Sequence, residues 1–510
     1  MTKKRIFKNT IALYLRQLLI LFVSLYTVRI VLNVLGVEEY GLYNVVAGLV
    51  ALCSFLPSAL ASATQRFFSF ALGQSDKARL YKTFSVNLVL YASVALFALI
   101  TLEVFGFWFV KEYLNIPPTR LDAAITLYHY AVFTFIAGIF TSPFIAIIIA
   151  HEDMQIYAYA SISEVLLKLV VTFALVYIPS DKLELYGLLL LFVSLINMSV
   201  YLIICFRKYP ECQLRTIHWD SKLLKEIYGF TGWSLFGQLT TVARNQAVTI
   251  LLNQYFNPAV VAARAIANTV SSQINMFSNA FNTGLYPPII KAYAANEKEE
   301  MFTLIFNGSK LTFFLMWIFS LPMFIEMEGV LTLWLSTPPE NAVWFTRLAL
   351  IEALIVSLSL PLISAARAPG NMRVYELTLG AVQISIFFMS WYLLMMGLPA
   401  SSVFITAILA NIVMLVIRVI LVSRLISLSV LGFFNKVILP TLAVMLCSGI
   451  FSFSIKNILP SGILSSVVII LITLATSSLS MYYLCLDKNT RKKIKFKVES
   501  LLISKYLRNN

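Results

Sequence analysis

The chain has 510 residues, of which 59% are hydrophobic and only 12% charged, with a formal net charge of +15 at pH 7. A soluble protein carries about a quarter charged residues, so a water-soluble globular chain is excluded. The apolar runs are roughly 20 residues long and continuous rather than alternating, which fits membrane-crossing helices and excludes a spanning β-barrel.

The opening "MTKKRIFKNT" precedes the first apolar run, and no small-residue cleavage site follows. The run therefore reads as a first membrane helix and not as a signal peptide. In chain order the predicted crossings are 11–34, 42–63, 84–109, 122–150, 158–178, 185–206, 228–254, 258–285, 302–326, 346–366, 376–397, 402–425, 438–455 and 463–485. These fourteen helices predict an all-α polytopic membrane protein. An N-terminal lobe of six helices (1–206) and a second lobe of six (228–425) flank the hydrophilic segment 207–227. Two more helices (426–485) and a basic tail (486–510) follow.

Charge supports this map. With the N-terminus inside, the inner segments collect 29 of the 39 Lys and Arg residues, and the outer segments hold only Lys111, Arg120, Lys182 and Lys456. The positive-inside rule then places both termini in the cytoplasm. The tail motif "KNTRKKIKFK" is explained by anionic lipid, without nucleic acid. "LNVLGVEEYGLYNV" (32–45) aligns with "LNQYFNPAVVAARAI" (252–266) near the first hairpin of each lobe. Two repeated lobes predict a substrate path between them.

Several chemistries find no support. The five cysteines are scattered without a CxxC, the three histidines form no motif, and no GxxxxGK[ST] loop is present. No metal site, cofactor or catalytic residue is expected.

The informative residues are polar groups inside apolar helices. In "RAIANTVSSQINMFSNAFN" (264–282), successive steps of about 100° place Arg264, Asn268, Ser271, Asn275, Asn279 and Asn282 on one face, about 27 Å long. Such a stripe facing lipid would be costly. It faces a hydrated path or glues neighbouring helices, and the two readings stay open. Arg244 lies about ten residues from either end of its helix, flanked by Asn245 and Gln246. An arginine near the bilayer middle is a functional candidate, with an internal ion pair as the alternative. The first helix carries Arg16 and Arg29, both close enough to its ends to snorkel, with Thr27 on the Arg16 face. Glu164 and Lys168 have the i,i+4 spacing of an ion pair. Glu352 is the acid that stands well inside a helix of the second lobe, and a link to a Na⁺ or H⁺ gradient through it stays open. Glu103 and Glu326 read as interfacial, and Trp108, Tyr113, Trp334 and Trp344 as an aromatic belt. The buried balance is cationic: Arg16, Arg29, Arg244 and Arg264 against few acids. Guanidinium groups grip phosphate in a two-pronged fork, so an anionic phosphate or pyrophosphate substrate fits best.

The segments "LGVEEYGLYNV" (35–45), "SATQRFFSFALG" (62–73), "FTGWSLFGQL" (230–239) and "AARAIANTVSSQINMF" (262–277) resemble the Wzx-type lipid-linked oligosaccharide flippases. These belong to the multidrug/oligosaccharidyl-lipid/polysaccharide (MOP) exporter superfamily, with a MATE-like fold. The resemblance implies alternating-access transport of undecaprenyl-pyrophosphate-linked oligosaccharide across a bacterial inner membrane. The glycan would then enter O-antigen, capsule or a related polymer, with a polysaccharide polymerase and other assembly proteins as partners. It implies pyrophosphate binding by Arg16, Arg244 and Arg264, with Arg29 as a weaker candidate. Asn245, Gln246, Asn268, Ser271, Asn275 and Asn282 would meet the glycan.

Three rivals remain. A cation-coupled multidrug antiporter of the same fold requires cavity acids; the first and seventh helices have none, but Glu352 keeps this reading open. A peptidoglycan lipid-precursor flippase is a close cousin. A membrane-embedded glycan-modifying enzyme would need a large outer loop, whereas the longest predicted here, 327–345, lacks histidine.

Overall fold

The computed structural model describes residues 3–112, 114, 116–213, 219–256, 258–335, 337–459, 462–485 and 491. Tyr113 and the basic tail, apart from Arg491, lie outside them. Among the described residues all regular structure is helical. In bilayer hydrocarbon every backbone N–H and C=O must be paired within its own segment, and a helix does this.

α1 (Lys3–Ala51) makes two crossings. Gly36, at φ 77° and ψ 171°, breaks it between spans 15–36 and 38–73, a conformation that favours glycine. A short 3₁₀ turn leads into α2 (Phe55–Gly73). α3 (Lys77–Thr101) starts at Asp76, whose carboxylate accepts from the Arg79 N–H at 2.9 Å. It passes through a π turn, Leu102–Gly106, into α4 (Phe107–Glu112). The hydroxyl of Tyr128 donates to the Leu102 carbonyl at 2.5 Å. It also fills the space where a Cβ on Gly106 would stand, so glycine admits the ring. α5 (Leu121–Ala150), α6 (Met154–Tyr177) and α7 (Lys182–Lys208) complete six crossings. Arg120 pairs with both Glu39 and Asp181, and Asp181 also caps α7.

The second half comprises α8 (Ser221–Tyr255), α9 (Pro258–Ala294), α10 (Lys298–Ile325), α11 (Met327–Leu335), α12 (Ala342–Arg367), α13 (Arg373–Met395) and α14 (Ser401–Ile426). α15 (Val430–Phe433) continues through a π turn, Phe434–Ile438, into α16 (Leu439–Ile458). α17 (Ile463–Ser480) ends in another, Met481–Cys485. Among the described residues twelve spans are long and apolar enough to cross a membrane; α8 and α9 are not among them. With these two the number is the expected fourteen. They fall short because their faces carry arginine, asparagine and serine, the residues singled out above. Both also outrun the sequence-based boundaries, α8 starting at Ser221 and α9 continuing to Ala294. A second difference lies in the expected outer loop 327–345. There "MEGVLTLWL" forms α11, with Leu333 and Trp334 exposed, as an interfacial helix should be. Trp108 and Trp344 are exposed as well.

By internal contacts the chain forms two compact units that cut across its sequence halves. The first comprises 1–243, 280–301 and 364–381; the second comprises 244–279, 302–363 and 382–510. α5 is central to the first, where Phe68, Phe84, Phe144, Ile147 and Tyr201 form one apolar cluster.

This first unit also holds a polar latch. Arg66 of α2 is 2% exposed. Its Nε and Nη2 donate to the Ala368 carbonyl at 3.3 and 3.0 Å, and its Nη1 reaches Glu226 of α8 at 3.3 Å. The guanidinium stacks on Phe67 and Phe70. Nearby, Lys291 of α9 pairs with Glu152 at 2.7 Å, and the Tyr286 hydroxyl donates to the Ser62 carbonyl at 3.1 Å. The latch ties α2 to the start of α8, and the α5–α6 and α2 segments to the end of α9. Gly370 sits beside it at φ +89°, and a Cβ there would lie 2.5 Å from Arg66 Nη2. Gly370→Ala is expected to lose roughly 1–3 kcal/mol through backbone strain and displacement of the guanidinium. A lowered melting temperature of the purified protein is the readout; an unchanged one refutes the account.

Candidate functional site: a cationic cavity

The second unit encloses a cavity of about 400 Å³ lined by α8, α9, α12, α13 and α14. α8 supplies Arg244, Asn245 and Gln246. α9 supplies Arg264, Asn268, Ser271, Ser272 and Asn275, and α12 supplies Glu352. The helical phase read from the sequence explains the α9 share: Arg264, Asn268, Ser271 and Asn275 stand about one or two turns apart on one face. The adjoining apolar residues Ala263, Ala267, Val270 and Ile274 are buried.

A hydrogen-bonded chain organises the cations. Arg244 Nη1 pairs with Glu352 Oε1 at 3.1 Å, and its Nη2 donates to Asn245 Oδ1 at 2.9 Å. Asn411 of α14 donates to the same Glu352 oxygen at 3.0 Å. Arg264 Nη1 donates to the Asn245 carbonyl at 3.2 Å and to the Thr249 hydroxyl. Asn245 therefore joins the two arginines, one through its side chain and the other through its backbone. Among the described residues no carboxylate pairs with Arg264, which is 7% exposed. The cavity thus presents two guanidinium groups and one carboxylate, an excess of one positive charge. Arg244 Nε and Asn275 Oδ1 are buried without a hydrogen-bond partner. A buried donor and acceptor left unmade are costly, so a polar occupant that supplies their partners is favoured.

The remaining candidates lie elsewhere. Arg16 lines a second cavity of about 440 Å³, in the first unit, together with Ser24, Thr27, Tyr157, Glu164 and Lys168. Its guanidinium lies 4.4 Å from the Tyr157 ring centre, and its Nε has no partner. Glu164 pairs with Lys168 at 2.7 Å, as the i,i+4 spacing predicts, and its other oxygen accepts from Asn197 at 3.0 Å. Arg29 is exposed and lines neither cavity. Asn282 belongs to the first unit and accepts from Ser364 at 3.4 Å. The α9 stripe is therefore divided: its first four members line the cavity, with Ser271 also donating to the Ala349 carbonyl of α12 at 3.2 Å, and Asn282 holds a neighbouring helix. Ser278, at the edge of the same face, is glue as well, donating to the Thr312 carbonyl at 2.8 Å. Glu103 and Glu326 are each paired, with His129 and Lys456. Sequence reasoning missed Thr249 and Asn411. Thr249 stands five residues beyond Arg244 in "ARNQAVT", so its helical position was readable; the approach of Asn411 from α14 was not.

About fourteen helical crossings define a polytopic membrane protein of the MATE-like fold. Solved structures share this fold at low identity. A MATE transporter mutant matches at TM-score 0.73 and 14% identity, covering 82% of this chain and 97% of that one. An outward-facing multidrug resistance MATE family transporter of the MOP superfamily matches at TM-score 0.70 and 15% identity, covering 82% and 96%. A MOP superfamily transporter from Pyrococcus furiosus, described by its binding pocket of reverse polarity, matches at 0.66 and 15%, covering 82% and 96%. No curated protein sequence matches the chain. Residues 6–293 match the family model described as polysaccharide biosynthesis protein, and the chain belongs to that family, which includes the Wzx-like flippases.

Proposed function

We propose that this transporter flips a lipid-linked oligosaccharide, joined to undecaprenyl through a pyrophosphate, from the cytoplasmic to the outer face of a bacterial inner membrane. The observation that carries the reading is the excess positive charge in the α8–α9–α12 cavity. A desolvated guanidinium without a carboxylate is stabilised by an anion and repels a cationic drug. Arg264 and Arg244 would hold phosphate oxygens, while Asn268, Ser271, Asn275 and Gln246 offer hydrogen bonds to sugar hydroxyls. Arg16, in its own cationic cavity, is a second phosphate contact in this proposal. The lobes would then rock to expose the load on the other side, with breakage and remaking of the Arg66 latch as part of that cycle. The glycan would pass to a polymerase on the outer face.

Glu352 supplies a route to ion coupling. Its carboxylate holds Arg244 and would compete with a phosphate for that guanidinium, while Asn411 keeps the side chain in place. The antiporter reading instead needs Glu352 to bind Na⁺ or a cationic drug, and Arg244 already occupies that carboxylate.

Reconstitution discriminates the readings. Proteoliposomes containing the purified protein are expected to translocate a fluorescent polyprenyl-pyrophosphate-linked sugar and to leave ethidium gradients unchanged. Ethidium export without movement of the sugar lipid would overturn the proposal.

A further inference from the structure

A third cavity, of about 460 Å³, lies in the second unit away from the arginine pair. Its walls come from α10, from the π turn between α15 and α16, and from the π turn that ends α17. By the alternation of crossings these segments lie on the membrane face at which α1 begins. Three cations line it: Lys310, Lys436 and Arg491. Its other polar lining residues are Thr303, Asn307 and Asn435, and among the described residues no Asp or Glu lines it.

Lys310 is the unusual member. It is 6% exposed, and its ammonium donates to the backbone carbonyl of Cys485 at 3.1 Å. Among the described residues no carboxylate pairs with it. A buried ammonium without a counter-charge is expensive to maintain. Lys436 lies 5.4 Å from the Phe306 ring centre, also without a carboxylate partner among the described residues. The two π turns are a second, independent sign. A π turn shifts the i→i−4 ladder and often marks a functional position. Here one carries Asn435 and Lys436 into the cavity, and the other carries Leu484 and Cys485. Exposed apolar residues flank the cavity on the last two crossings: Leu439, Leu442 and Leu446 on α16, and Leu479 and Tyr483 near the end of α17.

We infer that this cavity binds the phosphate headgroup of an anionic phospholipid, with its acyl chains lying along α16 and α17. Basic pockets between membrane helices suit such headgroups. Two asparagine amides add neutral donors to the three cations. The apolar flanks distinguish a lipid from a free phosphate ion, which would have no use for them. The assignment stands apart from the transported substrate and from the Arg244–Arg264 cavity.

The test is native mass spectrometry of the full-length protein released from nanodiscs. The nanodiscs contain equal parts phosphatidylglycerol and phosphatidylcholine, and a second set substitutes cardiolipin for phosphatidylglycerol. The wild type should retain the anionic lipid over phosphatidylcholine. Lys436→Gln and Arg491→Gln, at the rim, should each lower retention about five-fold. Lys310→Met should lower it at least as much, and the rim variants keep the test valid if that buried change misfolds. Lys222→Gln, on an exposed surface, should leave retention unchanged. Equal retention of phosphatidylcholine, or undiminished retention in both rim variants, overturns the inference. Displacement by millimolar inorganic phosphate would mark a free-anion site instead. Displacement by a polyprenyl-pyrophosphate sugar would assign the cavity to the transported substrate, and either result overturns the resident-lipid assignment.

Discussion

Arg264→Ala and Arg244→Ala are each expected to abolish surface polysaccharide in a strain that depends on this protein. Removing a buried, hydrogen-bonded cation from its phosphate costs about 2–5 kcal/mol, on the order of 30- to several-thousand-fold in affinity. The two changes differ in their side effects. Arg264→Ala leaves the Thr249 hydroxyl donating to the Asn245 carbonyl at 2.9 Å, so neither group is stranded and protein levels should hold. Arg244→Ala also leaves Glu352 facing Asn411 alone, an unpaired carboxylate in a poorly solvated place, and some loss of stability is expected with it. Arg264→Lys keeps the charge but loses the planar fork and should restore export only in part. Polymer on the cell surface, measured against membrane levels of each variant, decides the matter. Normal polymer in both alanine strains would remove the arginine pair from the mechanism.

The second large effect concerns Arg66. Its alanine variant leaves the buried Ala368 carbonyl without the two N–H groups that now reach it, and removes a guanidinium stacked on Phe67 and Phe70. Glu226 is 44% exposed and remains paired with Arg79 at 3.5 Å, so the ion pair itself contributes little to the loss. The unmade hydrogen bonds and lost stacking amount to about 2–4 kcal/mol. Arg66→Ala should therefore melt several degrees below the wild type in detergent. Arg66→Lys should recover little, because one ammonium cannot reproduce a fork that serves a carbonyl and a carboxylate together. Glu226→Gln should be mild. A wild-type melting curve for Arg66→Ala would show that the latch has no structural weight.

Local chemistry explains which features were legible in the sequence. The Glu164–Lys168 pair is one helical turn, so spacing alone predicts it. The first part of the α9 stripe was legible for the same reason, since phase along one helix is fixed by its geometry. The pairing of Arg244 with Glu352 spans 108 positions. Phase places each residue on its own helix and says nothing of which helix stands opposite. Arg66 was visible only as part of a family-like segment. Its burial depends on the backbone turn at Gly370, about 300 positions away, and no periodicity encodes that approach. The same limit applies to Asn282: one helix face is shared by Arg264 and Asn282, but different neighbours cover its two ends.

The sequence by itself determined the membrane class, the approximate helix number and the cationic character of the second unit's cavity. These follow from hydropathy, length and charge, which are sums over local residues and need no knowledge of packing. Only the tertiary structure decided which arginines share a cavity, which acid they meet, and where the polar stripe turns from cavity wall into helix glue. It also decided that Lys310, Lys436 and Arg491 converge, although they come from three separate parts of the chain. Such convergence depends on how helices pack side by side, and in a bilayer that packing rests on close shape fit and a few buried polar contacts rather than on hydrophobic pattern.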